Sequence, residues 1–438
     1  MTARQAALAA LERCRRDGAW SSETLDGMIG KYSLDGRDAA LASAITLGVM
    51  QNESYCDFII GSYCSRSVDK LEPKLRDILR IGVCQLLFLD RIPPRAAVNE
   101  TVALCADAGL SRASGLVNAV LRRVCENLGD LPRVAGDGAD RLSVRYSQPL
   151  WFAEKMIGLK GLEFTEELFR AFNRPSATDL QINTLRTDMK SFTALLDAAG
   201  AEYSIPEFPE NCVRLKGGAV RALPGYAEGL FFVQDRAARA AVGIAELRPG
   251  MRVLDACASP GGKSFAAAMD MRGEGEIVSC DIKDKKLALI YGGAERLGVS
   301  IIRTEKRDAA LRESAYVDYF DAVIADVPCS GFGVAGKKPE IRKKSPDDLS
   351  ALPGIQRRIL DNLSDYVKPG GVLLYSTCTI LPEENEEIIE GFLKRRADFE
   401  PCAFSVGGRR SSGGCYTFYP NTDGTDGFFA AKLRRKGK

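Results

Sequence analysis

The chain has 438 residues, and its 60 Lys and Arg nearly balance its 58 Asp and Glu, which leaves a formal net charge of +2. Hydrophobic residues make up 45% and charged residues 27%, a composition typical of a globular protein with a large core. The near-neutral charge does not by itself indicate a nucleic-acid-binding protein. No apolar run approaches the roughly 18 residues that a membrane-spanning helix needs, and at about 150 residues per domain the length predicts about three domains.

Thirteen cysteines and no histidine restrict the possible chemistry. The chain is long, lacks an export signal and contains no Cys-x-x-Cys pair, so we expect neither a disulfide framework nor a structural zinc site. We therefore predict no metal. Without histidine, a general base must be a carboxylate, a lysine, a second thiolate or water.

Residues 1–130 show only helical patterns. Residues 1–20 interleave arginines with alanines and leucines, as in an amphipathic helix and unlike a signal peptide, so we expect a cytoplasmic protein. In residues 71–89 the apolar side chains recur at helical spacing, and Pro93 and Pro94 interrupt the helices that follow. The stretch 129–140 is rich in Gly, Pro and Asp, which predicts a linker.

Two further domains are predicted beyond this linker. Residues 143–235 mix helical stretches with short strands such as 180–183, which indicates a small α+β segment. Residues 236–438 alternate strands and helices, which predicts an α/β domain with a largely parallel, doubly wound sheet. Its predicted strands are 252–255, 276–281, 300–303, 320–325, 371–376 and 428–433.

A loop of small residues after the first of these strands indicates a cofactor site. The strand ends at Asp255, the loop carries Gly261 and Gly262, and a helix follows from Lys263. Asp281 ends the next strand, where an acidic side chain can hold ribose hydroxyls. Nicotinamide and sulfonium cofactors both use this scaffold. The loop lacks the G-x-G-x-x-G spacing, which together with the motif Asp326-Val327-Pro328-Cys329 favours S-adenosylmethionine.

Cys329 and Cys378 follow two runs that are typical of buried strands, in Asp326-Val327-Pro328-Cys329 and Ser376-Thr377-Cys378. Either cysteine alone would more often be a small buried side chain. Both lie at strand ends downstream of a cofactor loop, where open α/β sheets bind ligands. A thiolate beside a methyl donor suits methylation at carbon 5 of a pyrimidine, since its addition to carbon 6 turns carbon 5 into a nucleophile.

A cluster of basic residues lies at 337–344, within the loop that follows Cys329. Runs of charge are usually solvated surface. Here the position predicts that a polyanionic substrate arriving at Cys329 would meet the cluster.

The motifs above resemble known families. Residues 236–438 resemble the RNA 5-methylcytosine methyltransferases of the Nol1/Nop2/Sun family, through residues 257–263, 326–331 and 376–385. Residues 1–130 resemble the all-helical NusB family, through residues 79–87, 97–100 and 117–123. The joined architecture is similar to that of bacterial 16S ribosomal RNA cytosine-5 methyltransferases and covers nearly the whole chain.

This resemblance implies a role for each motif. Cys378 would be the attacking nucleophile, Cys329 would assist release of the product, and Asp326 would contact the cytosine edge and the cofactor. Lys263 is a candidate source of the positive potential that helps Cys378 to ionise. S-adenosylmethionine would be surrounded by Cys257, Ala258, Ser259, Pro260, Gly261, Gly262, Lys263, Asp281, Asp308 and Asp326.

Two residues depart from the family pattern in the middle segment. Gln181 stands where the family usually has arginine, and Arg236 replaces a usual acidic residue. Neither affects the chemistry, but both bear on how this segment would contact RNA.

The expected substrate is 16S ribosomal RNA or an early small-subunit assembly intermediate, bound by a monomer away from any membrane. Three alternatives stay open: the same chemistry on transfer RNA or 23S ribosomal RNA, a DNA cytosine methyltransferase that attacks with its Pro-Cys thiol, and a non-catalytic RNA-binding regulator. The helical domain argues against the first only by association. The second would leave Cys378 without a role, and the intact cysteine pair argues against the third.

Overall fold

The computed structural model describes residues 1–175 and 177–437. The chain forms two compact units. The helical unit consists of Met1–Arg174 together with Ala335–Pro346, and the sheet unit consists of Pro175–Val334 together with Asp347–Lys438.

The helical unit is built around one buried helix, α5. Every residue from Asp77 to Gln85 of α5 is buried, as expected for a helix surrounded by others. The helices of the unit are α1 (Ala3–Asp17), α2 (Ser21–Lys31), α3 (Gly36–Gln51), α4 (Glu53–Tyr63), α5 (Pro73–Phe88), α6 (Pro94–Asp107), α7 (Ser114–Glu126), α8 (Gly138–Tyr146), α9 (Leu150–Lys160) and α10 (Leu162–Phe172), with short 3-10 turns at Val68–Lys70, Ser111–Ala113 and Pro339–Lys343.

Local sequence explains where several of these helices begin and end. Thr2 and Gln5 form a reciprocal capping box at the start of α1, and Gly18 ends that helix in the left-handed region at φ 61°. Pro73 and Pro94 open α5 and α6. A proline is favourable there because the first helical N–H has no intrahelical partner.

The predicted linker at 129–140 is not a boundary between the units. Leu131 and Val134 pack against the core of the helical unit, and α8 begins within the predicted linker, at Gly138. Helices α8 to α10 also belong to the helical unit, whereas the sequence assigned residues 143–174 to the α+β segment. The composition of 129–140 is that of a loop between helices, and composition alone does not show whether a loop joins two domains.

The basic segment at 337–344 is part of the helical unit. Arg342 is 8% exposed and donates hydrogen bonds to the backbone oxygens of residues Gln51, Tyr146, Phe172 and Ala335 and to Oδ1 of Asn173. Lys343 pairs with Glu53. The sequence predicted that the whole cluster would face a polyanionic substrate. This is wrong for Arg342, because its N–H groups donate to oxygen atoms inside the protein.

The sheet unit begins with a small antiparallel sheet. Its strands are β1 (Thr178–Ile182), β2 (Tyr203–Ser204), β3 (Cys212–Leu215) and β4 (Phe231–Val233), in the order β2-β3-β1-β4, and helix α11 (Met189–Ala198) follows β1. Leu180, Ile182, Phe192, Val213 and Phe231 form its buried core. This part corresponds to the strand-containing half of the predicted α+β segment.

The two departures from the family pattern are buried in the sheet unit. Gln181 is 2% exposed and its amide donates to the backbone oxygen of Gln234 at 2.9 Å. Arg236 is 6% exposed and donates to the backbone oxygens of Phe208 and Gly424. Both side chains are therefore buried and hydrogen-bonded within the sheet unit.

The remainder of the sheet unit is a doubly wound α/β fold, as predicted. Its elements are α12 (Arg236–Ile244), β5 (Arg252–Asp255), α13 (Gly262–Asp270), β6 (Glu276–Asp281), α14 (Asp284–Leu297), β7 (Ile302–Lys306), β8 (Phe320–Asp326), α15 (Pro346–Leu349), α16 (Leu352–Ser364), β9 (Val367–Thr377), α17 (Glu386–Arg395), β10 (Phe399–Pro401), β11 (Ser405–Val406), β12 (Arg409–Arg410), β13 (Cys415–Phe418), α18 (Pro420–Asp423) and β14 (Phe428–Arg435), with 3-10 turns at Val220–Ala222, Ser314–Tyr316, Phe332–Val334 and Pro382–Glu384.

The larger sheet of the unit has the strand order β10-β14-β9-β8-β5-β6-β7, and β13 pairs with β14. Strands β7, β6, β5, β8 and β9 are parallel, and β14 runs antiparallel to β9.

Both faces of this sheet are covered by helices. Val253, Ile277 and Ala322 pack with α12, α13 and α14 on one face, while Leu254 and Val278 pack with α16 and α17 on the other. Alternate residues of each strand point to opposite faces, so strands buried on both sides show the nearly continuous apolar runs that the sequence displays.

Candidate active site

The carboxyl ends of the parallel strands bring the predicted site residues to one edge of the sheet. Strand β5 ends at Asp255, β6 at Asp281, β8 at Asp326 and β9 at Thr377. Ligands of open α/β sheets bind at this edge. The loop 257–263 follows β5, Asp308 follows β7, Cys329 follows β8, and Cys378 follows β9.

The loop 257–263 turns sharply into helix α13. Gly261 has φ 111°, a left-handed conformation that favours glycine. A Cβ at that position would lie 2.5 Å from the Phe265 ring. Helix α13 starts with neither a side-chain cap nor an acidic residue in its first turn. The first N–H groups of any helix have no intrahelical acceptor, and in α13 no N-cap side chain accepts from them. This helix start therefore suits an anion.

Asp281 is the last residue of β6, and Asp308 lies just after β7. Asp281 is 7% exposed, and its carboxylate accepts from the backbone N–H of Lys283 at 3.1 Å and from Nζ of Lys286 at 3.5 Å. Asp308 is exposed and accepts from the backbone N–H of Ala310. Each carboxylate oxygen has a second lone pair for a ligand hydroxyl or amine.

Lys263, Asp326 and Ser376 form a hydrogen-bonded chain across the site. Nζ of Lys263 lies 2.6 Å from Oδ2 of Asp326, and Oγ of Ser376 donates to Oδ1 of Asp326 at 2.8 Å. Burial lowers the pKa of Lys263, but the Asp326 carboxylate outweighs this, so the pKa of Lys263 is raised. The lysine therefore stays charged and holds Asp326 in place.

The two predicted thiols lie next to each other. Sγ of Cys329 is 3.3 Å from Sγ of Cys378, and both cysteines are free thiols. The hydrogen bond with Cys378 raises the pKa of Cys329 well above that of an ordinary thiol, and burial raises the pKa further. When one of the two sulfur atoms ionises, the other therefore keeps the shared proton.

Close backbone packing fixes the loop that carries Cys329. The N–H of Gly333 donates to the backbone oxygen of Cys378 at 3.0 Å. A Cβ at Gly333 would lie 1.9 Å from the backbone oxygen of Gly427. Glycine is required here because two backbones meet where a side chain would have to fit.

Comparison with known proteins now places the chain in a family. A family model described as 16S rRNA methyltransferase RsmB/F matches residues 243–434, and the NusB family model matches residues 1–126. The "Probable ribosomal RNA small subunit methyltransferase B" of Bacillus subtilis is 31% identical over 443 residues, which cover 99% of each chain. The ribosomal RNA small subunit methyltransferase B of Escherichia coli K12 is 32% identical over 438 residues, which cover 99% of this chain and 98% of that one. The chain belongs to the ribosomal RNA small subunit methyltransferase B family.

Membership confirms the predicted class of enzyme, an S-adenosylmethionine-dependent methyltransferase with a NusB-like N-terminal domain. The crystal structure of PH0851 has the same fold, with a TM-score of 0.82, 26% sequence identity and coverage of 98% of both chains. The assignment of individual site residues stays a prediction.

Two residues at this edge escaped the sequence prediction. The sequence pattern assigned no role to Ser376, although its hydroxyl donates a hydrogen bond to Asp326. Ile282 is 56% exposed directly after Asp281. An apolar residue between Asp281 and Lys283 is a signal that could have found it, because an exposed apolar side chain at the ligand-binding edge of such a sheet can cover a flat ring.

The described residues contain neither a metal-binding cluster nor a membrane-spanning helix. No group of three or more Cys, Asp or Glu side chains in residues 1–175 and 177–437 is arranged to hold a metal ion. No helix in these residues is long and apolar enough to cross a membrane.

Asp255 makes the stability of this edge dependent on pH. The side chain is buried and accepts from Oγ of Ser264 at 2.7 Å, while its Oδ1 has no partner among the described residues. Burial raises the pKa of Asp255 from 3.8 to about 6. The folded state binds the proton of Asp255 more tightly than the unfolded state does, so protonation of Asp255 stabilises the fold. This contribution is complete below pH 3.8 and is lost as the pH rises through about 6.

We expect Asp255→Asn to remove this dependence. This shift of the pKa corresponds to roughly 3 kcal/mol, which the variant should gain relative to wild type as the pH rises from 3.8 to about 6. Calorimetric midpoints of both proteins across this range provide the measurement. Parallel curves for the two proteins would contradict the raised pKa.

Proposed function

We propose that this enzyme methylates carbon 5 of a cytosine in 16S ribosomal RNA through a covalent bond between Cys378 and carbon 6 of the base. The observation that most supports this is the 3.3 Å separation of the Cys329 and Cys378 sulfur atoms beside the Lys263–Asp326 pair. Relatives from Bacillus subtilis and Escherichia coli carry the small ribosomal subunit in their names, which favours its RNA over the alternatives. Bacterial ribosomal RNA lies in the cytoplasm, where we expect the enzyme to act as a monomer.

The residues around α13 fit S-adenosylmethionine. The uncapped start of α13 suits the carboxylate of the methionine part. Asp281 can accept the ribose hydroxyls, Ile282 can cover the adenine ring, and Asp308 can accept from its amino group. When bound, the cofactor supplies an electrophilic methyl group and retains the electron pair of the broken carbon–sulfur bond as a neutral thioether.

Cys378 acts first in this proposal. Its thiolate forms a bond to carbon 6, and the electron pair of the carbon 5–carbon 6 double bond becomes available at carbon 5. The ammonium group of Lys263, held 2.6 Å from Asp326, provides positive charge on the same edge. Asp326 is placed to contact the polar edge of the cytosine.

Cys329 acts second, and the electrostatics of the pair supports this order. Its pKa is raised chiefly by the hydrogen bond with Cys378. Once Cys378 is bonded to carbon 6 it no longer carries a negative charge, so Cys329 can lose its proton to solvent. Its thiolate then takes the proton from carbon 5, the double bond re-forms and Cys378 leaves as a thiolate. One proton is released per methyl group transferred, as the overall reaction requires.

Methylation assays with defined nucleic acids test the proposal. The purified enzyme and labelled S-adenosylmethionine should modify 16S ribosomal RNA, and bisulfite sequencing should locate the product at a cytosine. Methylation of 23S ribosomal RNA, transfer RNA or DNA in preference would identify one of the alternative substrates. Cofactor binding without transfer to any RNA would favour a regulator.

Asp281 provides a test of the cofactor site. Asp281→Ala should weaken S-adenosylmethionine binding by ~1.5–3 kcal/mol, the usual range for lost hydrogen bonds to a charged group. Asp284→Ala is the matched control, since that carboxylate is 74% exposed and pairs with Lys306. Isothermal calorimetry measures both. An Asp281 variant that stays folded and binds with wild-type affinity would refute the assignment.

A further inference from the structure

Two adjacent buried residues are hydrogen-bonded to the loops of the thiol pair: Glu384, which ends the 3-10 turn Pro382–Glu384, and Asn385, which immediately precedes helix α17. Glu384 is 1% exposed and Asn385 is completely buried. Each belongs to a different hydrogen-bond network, and each network contains residues that flank one of the two cysteines.

Asn385 holds the residues on both sides of Cys378. Its Oδ1 accepts from Oγ1 of Thr377 at 2.6 Å, and its Nδ2 donates to the backbone oxygen of Thr379 at 3.0 Å. The amide thus bridges the two neighbours of Cys378 and fixes the turn on which the thiol sits.

Glu384 holds the residues on both sides of Cys329. Its Oε2 accepts from the backbone N–H of Ser330 at 2.8 Å and from Nε2 of Gln356 at 2.9 Å. The same Nε2 of Gln356 donates to the backbone oxygen of Pro328 at 3.0 Å. The carboxylate therefore fixes one neighbour of Cys329 directly and the other through Gln356.

Further contacts join the two networks into one frame. Oγ of Ser330 lies 2.8 Å from Oγ1 of Thr379, which links the two cysteine loops to each other. The hydroxyl of Tyr375, on strand β9, donates to the backbone oxygen of Glu384 at 2.6 Å. Both loops are thereby tied to a rigid strand of the sheet.

The burial of the Glu384 carboxylate costs more free energy than would be expected of a residue that serves packing alone. A buried carboxylate loses much of its hydration energy, and Oε1 of Glu384 and Oε1 of Gln356 have no partner among the described residues. An apolar side chain would fill the same space at lower cost. A carboxylate is useful here because one oxygen can accept from two donors on either side of Cys329.

We propose that Glu384 and Asn385 are positioning residues, of which Glu384 places Cys329 for product release and Asn385 places Cys378 for attack. This inference rests on the proposed function, since it assigns the two steps to the two thiols. Both side chains are buried and would act only through the loops that carry the sulfur atoms.

The proposal predicts opposite defects for the two alanine variants. Asn385→Ala should slow attack, so formation of an adduct with 16S ribosomal RNA containing 5-fluorocytosine should fall by about 100-fold, the order expected for a misplacement of about 1 Å. After methyl transfer to this base, carbon 5 carries fluorine and no proton that a base could remove, so the adduct is trapped and reports attack and methyl transfer independently of release. Glu384→Ala should form that adduct at nearly the wild-type rate but should accumulate adduct on ordinary 16S ribosomal RNA, because release is slowed.

Glu384→Gln separates geometry from charge. A glutamine with its oxygen at the Oε2 position retains the acceptor for Ser330 and Gln356, so it should restore most of the turnover lost in Glu384→Ala. Removal of the negative charge, which contributes to the raised pKa of Cys329, should shift the pH profile of release to lower pH. Glu387→Ala, on the exposed face of α17, is the matched control and should match wild type.

Gln356→Met gives a second test if Glu384→Ala does not fold. This substitution breaks the link to Pro328, so the variant should also accumulate adduct on ordinary RNA.

S-adenosylmethionine affinity should stay at the wild-type value in all folded variants. Equal losses of adduct formation and release in the Asn385 and Glu384 variants would overturn the positioning roles while the wild-type adduct still supports the proposed function. Failure of the wild-type enzyme to form any adduct with 5-fluorocytosine RNA would overturn both.

Discussion

Cys378→Ser should abolish both methylation and the covalent RNA adduct, whereas Cys329→Ser should attack and transfer the methyl group but release the product slowly. A serine hydroxyl at neutral pH is a far weaker nucleophile than a thiolate, so the first variant has no group that can add to carbon 6. The second variant lacks the group that removes the carbon 5 proton, and the sequence contains no histidine to replace it. It should therefore accumulate a protein–RNA species that survives a denaturing gel.

The 3.3 Å separation of the sulfur atoms makes this pair of variants informative. Either thiol is close enough to take the role of the other, so distance alone does not assign them. Cys402→Ser, at a half-buried cysteine of the sheet unit, is a suitable control and should behave as wild type. An adduct in Cys378→Ser and none in Cys329→Ser would show that the Pro-Cys thiol is the nucleophile, as in DNA cytosine methyltransferases.

Arg342→Met should destabilise the helical unit by about 3 kcal/mol or more, because it leaves several buried carbonyl oxygens without a donor. Arg342 donates to Tyr146 at 3.0 Å and to Asn173 at 2.8 Å, and burial lowers its pKa to about 9. It thus stays charged at neutral pH, with backbone oxygens in place of a counter-ion. Methionine has a similar length but no donor.

Tryptophan fluorescence during urea denaturation measures this effect selectively. Both tryptophans of the chain, Trp20 and Trp151, belong to the helical unit, and Nε1 of Trp151 donates to the backbone oxygen of Lys344. Lys343→Met is the control on the adjacent residue. Lys343 pairs with Glu53, and 52% of the lysine side chain is exposed. Its substitution should therefore lower the free energy of unfolding by at most about 1 kcal/mol. Equal stabilities of the two variants would mean that Arg342 does not anchor the segment.

The residue pattern alone was sufficient to predict the class of fold and the edge of the sheet at which the predicted site residues lie. Apolar runs of strand length that alternate with amphipathic helices indicate a doubly wound sheet, and such a sheet has one ligand-binding edge. The predicted strands 252–255 and 276–281 have the same bounds in the structure. Asp281, Asp326, Cys329 and Cys378 could therefore be assigned to that edge without coordinates, because their positions at strand ends are local features.

Only the tertiary structure decided which residues share a unit and how the site is held together. A basic run has the same composition whether it is solvated or buried, and the acceptors of Arg342 come from Gln51, Tyr146 and Phe172, more than a hundred residues away in the chain. The frame of Glu384 and Asn385 likewise joins the loop after β8 to β9 and α16 through single hydrogen bonds. Periodicity and composition describe a residue's neighbours along the chain, whereas these contacts arise from the packing of distant segments, so they become visible only once the chain is folded.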